Sequence, residues 1–519
     1  MNSEDIFVAG RRDLIAYNDL KKWIIDPGFC TLCGACEAAC PIHSLKIEGE
    51  TLQYIHDCSE HLEFCPICYD VCPHSEALLL ETLSFVTDAP NRRESLGYYR
   101  KVLLAQAVDP ELRKVSHGGG VVTALLTNSI KQGFVDSVVA SRIDEKAPLK
   151  LHPSISLVPD DVFSAVDVGY SPSAVAKAFG RAVQEYGKTK IAFVGTPCQV
   201  LALRKLESWE HKIVDSLKLV VGFMCLWCFS LKHLFESLEK THNIKPSQIS
   251  KIVLEKREYV VYMDSETVRI PTNEVRKHIL GGCSTCMDYT AELADISVGG
   301  AYPLEDWSIV IIRTEVGEEI FDHAVKNGLI HVKSLENEPE VYTHMVDVAN
   351  FKRKTALEEI EKMKGSGKPV PPITQRMLQP LPKELSLLSS LTVEQIMTKE
   401  VMTISPDTTL EELLNIMTKH HHMGYPILDE NKQLIGIVTF EDIMKVPPDQ
   451  RSKTKASEVK LEKLLTAYPD EPALNAYEKM INHREGRILI VDREEPKKLL
   501  GIITKTDIMQ TLRWPMKRR

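Results

Sequence analysis

The chain has 519 residues and a formal net charge of −9, with 44% hydrophobic and 26% charged residues. At about 150 residues per domain this predicts three or four domains, each with enough apolar content to bury a core. The acidic balance argues against nucleic acid as a main partner, no apolar run reaches the ~18 residues of a membrane span, and "MNSEDIFVAGRRDL" lacks the apolar stretch of a signal peptide. A cytoplasmic protein without a membrane span is expected.

Thirteen cysteines in such a chain point to reduced thiols, and eight of them fall between positions 30 and 72. The first run, "CTLCGACEAACP", spaces Cys30, Cys33, Cys36 and Cys40 by two, two and three residues and ends in proline. Three thiolates from one short loop suit a cubane, and Gly34 and Ala35 let that loop curl tightly. The fourth ligand must then come from elsewhere. In a run of this spacing the cysteine before proline ligates the other cluster. A second run duly follows, Cys58 and then Cys65, Cys68 and Cys72 before Pro73. The reading assigns one 4Fe–4S cluster to Cys30, Cys33, Cys36 and Cys72, and a second to Cys40, Cys58, Cys65 and Cys68. A pair of zinc sites would use separated CxxC knuckles and would leave the third cysteine and the Cys-Pro endings without a role. The two halves resemble a duplicated two-cluster ferredoxin, assigned to residues 1–95. One departure is the longer spacing between Cys58 and Cys65.

From about Lys101 apolar strands alternate with helical segments. "SHGGGVVTALLTNSIKQG" predicts a glycine turn at 118–120 and an amphipathic helix with Val121, Val122, Leu125, Leu126 and Ile130 inward and Gly133 at its C-cap. A glycine turn opening onto a helix N-terminus suits an anion. "KIAFVGTPCQVLALRKL" predicts a buried strand at Ile191–Val194, a turn, and a helix opened by Cys198, where a thiolate is favoured. "LKLVVGFMCLWC" repeats the arrangement with Cys225, so that a parallel sheet would bring both cysteines to one edge. Cys283 and Cys286 follow two glycines. Two strand-end cysteines and one CxxC make a third cubane possible. Cys228 is then surplus, either an alternative to Cys225 or half of a redox dithiol.

"SHGGGVVTALL", "GTPCQVLALRKL", "GFMCLWC" and "CSTCMDYTAELADISVG" together resemble the β-subunit family of coenzyme F420 hydrogenases and dehydrogenases (the digits belong to the coenzyme's name), over roughly 100–345. The resemblance implies a core binding FAD and a 4Fe–4S cluster that exchanges hydride with the deazaflavin coenzyme. Its implied cluster ligands are Cys198, Cys225, Cys283 and Cys286. Its implied flavin region is Ser116, Gly118, Gly119, Gly120, Thr123, Gly195 and Thr196. A deazaflavin moves two electrons together and a cubane one at a time, so FAD must stand between them while the protein orients and tunes. Arg257, Arg269, Arg276 and Lys277 are candidates for the coenzyme's anionic tail.

Residues 346–385 read as a short charged helix and a Gly/Pro-rich linker. Beyond them the sequence repeats itself, with Pro406-Asp407 matching Pro469-Asp470 and Gly436 matching Gly501. Neither unit alone closes a core, so the two are expected to pack together. Each ends G-I-x-T-x-x-D-I-M, which resembles the CBS-domain pair, CBS 1 at 386–450 and CBS 2 at 451–519. The resemblance implies adenine-nucleotide binding by Thr439, Asp442, Thr504 and Asp507, the alternative being plain helix caps.

The expected architecture is α/β and α+β multidomain: a two-cluster ferredoxin-like segment, an α/β flavin and iron–sulfur core at 96–345, and a tandem CBS (Bateman) module. The expected function is electron transfer between coenzyme F420 and one-electron carriers through FAD and three 4Fe–4S clusters, with the CBS pair regulating. The expected partners are ferredoxin or a hydrogenase or dehydrogenase subunit, and a second copy of the chain through the CBS pair. The alternatives are an electron-transfer subunit without flavin chemistry, or a reductase of another organic substrate.

Overall fold

The apolar runs between residues 101 and 334 assemble one eight-stranded sheet: β1 (Lys101–Ala107), β2 (Ser137–Asp144), β3 (Ala147–Ser156), β4 (Ile191–Gly195), β5 (Leu217–Phe223), β6 (Ile296–Ala301), β7 (Leu304–Ile312) and β8 (Ile330–Ser334). The structure is a computed structural model. It describes residues 15–511 except 63–64, 84, 87–88, 90, 94, 116–117, 145–146, 165–170, 256–257, 264–265, 379–387, 389–390, 421, 423, 462–463, 484, 505–506 and 509–510. Two compact units divide the chain, residues 1–378 and 379–519.

The strand order is β8-β1-β7-β6-β5-β4-β2-β3. The four strands β6, β5, β4 and β2 run parallel, as the cysteine-bearing motifs require. The margins are antiparallel, because β2–β3 and β6–β7 are joined by turns too short for a crossover. One face of the sheet, with Ala192, Val194, Leu219 and Val221, packs on α1 (Val121–Lys131). The other face, with Ile191, Phe193 and Val220, packs on α2 (Val175–Gln184) and α3 (Pro197–Ser208). Each fully buried aliphatic or aromatic side chain here stabilises the fold by roughly 1.5–3 kcal/mol. Helix α1 is buried beyond its expected stripe, since Thr123, Thr127, Asn128 and Ser129 are covered too.

The N-terminal segment is a hairpin, Leu45–Glu48 with Thr51–Tyr54, and short helices after each CxxC, Ala35–Ala38 and Ile67–Asp70. It joins the core of the first unit, Ala35, Ala38 and Ala39 packing with the residues under β4. Gly34 is required twice: its φ is +90°, and an added Cβ would meet the Lys177 backbone nitrogen at 2.7 Å.

Where a short helix and a linker are expected, the structure has α4 (Pro339–Gly365), 27 residues long. Its buried residues Val341, Met345, Ala349, Lys352, Ala356 and Ile360 recur every three or four positions and hold it against the first unit. The chain then returns to the ferredoxin-like segment, where the Ile373 N–H donates to the His74 carbonyl at 3.1 Å.

In the second unit the repeats complete one another. Ala456, opening the second repeat, packs in the core of the first with Leu410, Leu413, Tyr425 and Val438. Leu388 and Val393, opening the first repeat, pack in the core of the second with Ala476, Ile488 and Ile503. Among the described residues no helix is long and apolar enough to cross a membrane.

Candidate functional site

The eight N-terminal thiols lie close enough to shift one another's titration. Burial raises Cys36 well above the usual thiol range, and Cys33, Cys30, Cys72 and Cys68 add to the shift. Burial likewise raises Cys68, followed by Cys65, Cys40, Cys58 and Cys72. Cys72 is pushed up to about 11 by burial, against the opposing charge of Lys205. The Lys205 Nζ donates to the Cys72 carbonyl at 2.6 Å and the Ser75 carbonyl at 2.8 Å, and burial lowers it to about 8.

The third set forms on the edge where the parallel strands end. Thr196 caps α3 in a reciprocal box with Gln199 and places Cys198 in the first turn. The helix N-terminus alone would favour the Cys198 thiolate. Burial outweighs it and, with Cys283, Cys225 and Cys286 adjacent, pushes the thiol up to about 12. Cys225 follows β5, its N–H donating to the Tyr289 carbonyl at 2.9 Å. Cys228 lies beside Cys225 and Cys283 in this pocket, and their mutual interaction raises the Cys228 thiol and lowers the other two. Lys352, from α4, reaches the same pocket, donating to the carbonyls of Cys225 at 2.6 Å and Asp288 at 2.5 Å.

Converging, buried thiols on short loops are the donor set of a 4Fe–4S cluster. Among the described residues no three His, Cys, Asp or Glu side chains are grouped closely enough to hold a single ion. A cube bound at four corners takes a wider spacing than one tetrahedral ion.

The first and third sets adjoin. Thr31, between two cysteines of the first loop, has its Oγ1 3.7 Å from the Cys198 Sγ and 3.1 Å from the His74 Nε2. His74 is neutral, its pKa lowered to about 4 by burial and then by Lys205. A Cβ on Gly282 would clash with the Phe29 carbonyl oxygen, and one on Gly281 with that of Gly28. The two loops touch backbone to backbone.

On its far side the third set borders a cavity of about 910 Å³. Leu151, Ser171, Pro172 and Ser173 line both. Lys150, His152, Lys177 and Arg181 stand on the cavity wall, the last three paired with Asp144, Glu37 and Glu185, and Ile47 and Glu50 of the N-terminal segment close it. Of the residues implied for the flavin, Gly195 and Thr196 line the cysteine pocket. The 118–120 turn lies elsewhere along the sheet edge, against Asp306, Ala105 and Leu112. A Cβ on Gly119 would meet the Asp306 carbonyl at 2.7 Å, so chain packing alone demands glycine there. Thr123 is buried in α1. Ser116 and Arg257 lie outside the described residues. Arg269 pairs with Glu258 at 3.7 Å, Arg276 stands over the Trp227 ring, and Lys277 is exposed; none lines the cavity.

In the second unit Asp442 accepts from the Thr439 N–H at 3.0 Å and from its hydroxyl at 2.6 Å. Asp507 does the same for Thr504, at 2.8 and 2.6 Å. Both pairs cap the helix start, and Thr398 also donates to Asp507 at 3.0 Å.

Sequence reasoning missed Lys352, Lys205, Thr31 and His74. Only Lys352 carried a signal: it stands on the apolar stripe of α4, where a lysine needs a buried partner.

The family model for the C-terminal part of the coenzyme F420 hydrogenase/dehydrogenase beta subunit matches residues 188–338, and the model for its N-terminal part matches 102–179. A 4Fe–4S binding domain matches 23–46, and the CBS domain matches 393–449 and 456–513. The coenzyme F420 hydrogenase subunit beta of Methanosarcina barkeri is 30% identical over 271 residues, 51% of this chain and 90% of that one. The coenzyme F420-dependent sulfite reductase of Methanocaldococcus jannaschii is 29% identical over 311 residues, 57% of this chain and 46% of that one. A chain of the F420-reducing [NiFe] hydrogenase complex from Methanosarcina barkeri superposes with a TM-score of 0.50 at 27% identity, covering 54% of this chain and 98% of that chain. With four sequence motifs, their cysteines on one sheet edge and this likeness over nearly the whole of that protein, the chain belongs to the coenzyme F420 hydrogenase/dehydrogenase β-subunit family.

Proposed function

We propose that this oxidoreductase passes electrons between coenzyme F420, as hydride, and a one-electron partner such as ferredoxin or a hydrogenase or dehydrogenase subunit. The observation that carries the reading is contiguity. The pocket of Cys198, Cys225, Cys283 and Cys286 touches the first N-terminal set through Thr31 and shares four lining residues with the 910 Å³ cavity. FAD, when bound, converts a two-electron hydride into single electrons. The cavity has the volume for an organic cofactor, and Lys150, His152, Lys177 and Arg181 suit its phosphates. Cys198, Cys225, Cys283 and Cys286 are the ligands of a third 4Fe–4S cluster, and Lys352 holds the Cys225 loop to the loop of Asp288. The CBS pair is the regulatory module, with adenine nucleotide as effector, and the protein works in the cytoplasm.

Anaerobic addition of reduced coenzyme F420 to the purified chain tests the reading. The flavin absorbance should bleach first and the broad cluster band afterwards, while NADH does neither. Equal rates with NADH would refute the substrate. A brown protein without flavin would replace the reading with that of a passive electron-transfer subunit.

A further inference from the structure

Two lysines are sealed inside the first unit, Lys205 at 0% and Lys352 at 2% exposure. Among the described residues neither makes an ion pair with a carboxylate. Lys205 meets three acceptors: the Cys72 carbonyl at 2.6 Å, the Ser75 carbonyl at 2.8 Å and the Ser75 Oγ at 3.0 Å. The Ser75 hydroxyl gives its own hydrogen to the Cys72 carbonyl at 2.9 Å, so its oxygen accepts from Lys205. Three acceptors require the three N–H bonds of an ammonium. Lys352 donates to two acceptors, the carbonyls of Cys225 and Asp288. Each lysine therefore donates to the carbonyl of a cysteine that belongs to a cluster set.

Burying an ammonium without a counter-charge is strongly unfavourable. The anionic groups acting on Lys205 are Cys72 first and then, more weakly, Glu76, Asp70 and Glu81, and those acting on Lys352 are Cys286, Cys225, Asp288 and Cys283. A 4Fe–4S cluster becomes more negative on reduction, so a fixed cation in a low-dielectric surround stabilises the reduced state. The set of Cys40, Cys58, Cys65 and Cys68 has no such lysine among the described residues, and the charged side chain acting on Cys65 is Asp70.

We propose that Lys205 and Lys352 are built-in counter-charges. They raise the reduction potentials of the clusters at Cys30, Cys33, Cys36 and Cys72 and at Cys198, Cys225, Cys283 and Cys286 above that of the cluster at Cys40, Cys58, Cys65 and Cys68. This rests on the three-cluster reading and adds an order to it. An electron entering at the second set runs downhill to the first, which adjoins the third at Thr31.

The test is a reductive titration of the whole chain followed by electron paramagnetic resonance, on the wild type, Lys352→Met and Lys205→Met. Each variant should keep its iron and move one midpoint potential to a more negative value, a different one in each. Iron-replete variants with unmoved potentials overturn the proposal. If a methionine variant loses iron, Lys→Arg at that position should retain it because the charge is kept. Loss from both marks a packing position and overturns the proposal. Cys283→Ser separates the two readings. Iron equal to wild type in that variant removes the third cluster itself, whereas loss of about four irons beside unmoved potentials in the lysine variants removes only the counter-charge.

Discussion

Cys228 stands beside Cys225 and Cys283 in the cysteine pocket, the fifth thiol around a centre that takes four ligands. Serine at 228 preserves nearly the same shape. Cys228→Ser should therefore hold the wild-type content of about twelve irons, four for each cluster, whereas Cys283→Ser should lose about four. Iron and acid-labile sulfide assays decide it, and equal loss from both would make Cys228 a ligand. Cysteine positions were legible because spacing itself encodes the chemistry: two, two and three residues between thiols and a closing proline suit few other centres. The choice between Cys225 and Cys228 is not legible in the sequence, since both follow the same strand and both stand beside Cys283 in the fold. Thr31 was hidden because its meaning lies in Cys198, which is remote in sequence.

Strand β4 and helix α3 could be read from their residues, because a short apolar run, a Gly-Thr-Pro turn and a capping Gln199 all agree. The antiparallel margins of the sheet could not, as a two-residue connection and a crossover both follow an apolar run. Helix α4 was underestimated because its surface is charged and its buried stripe is narrow, with a lysine standing in it. At 27 residues it spans about 40 Å, placing Lys352 at the third set and Met363 against the core of the ferredoxin-like segment. Ala349, 1% exposed and one turn before Lys352, is the position to break it. Ala349→Pro removes a backbone donor and should cost ~3 kcal/mol or more. Calorimetry should find an earlier melting transition for the first unit, and iron assay a selective loss from the third set. An unchanged melting profile would mean that α4 is not the strut its burial indicates.

For the molecule as a whole, the division at residue 378 predicts separable behaviours. The unit 379–519 contains no cysteine and closes its two cores by exchanging its opening helices. Expressed alone it should fold and bind adenine nucleotide. Asp442→Ala and Asp507→Ala should each weaken that binding by ~1–3 kcal/mol, the cost of an unpaired buried polar group. Absence of heat with AMP, ADP, ATP and S-adenosylmethionine in titration calorimetry would leave the repeat a dimerisation module. The first unit behaves differently, because its ferredoxin-like segment meets the loop of Cys283 where not even a methyl group fits, at Gly282 against Phe29. A freely diffusing carrier must find its acceptor, dock and leave, so its delivery slows on dilution, in viscous solvent and under salt. A carrier welded to its acceptor has no encounter to lose. Traffic between the N-terminal thiol sets and the core is therefore a first-order event whose pace is the same in one molecule as in a concentrated solution, and only the outer partner answers to concentration.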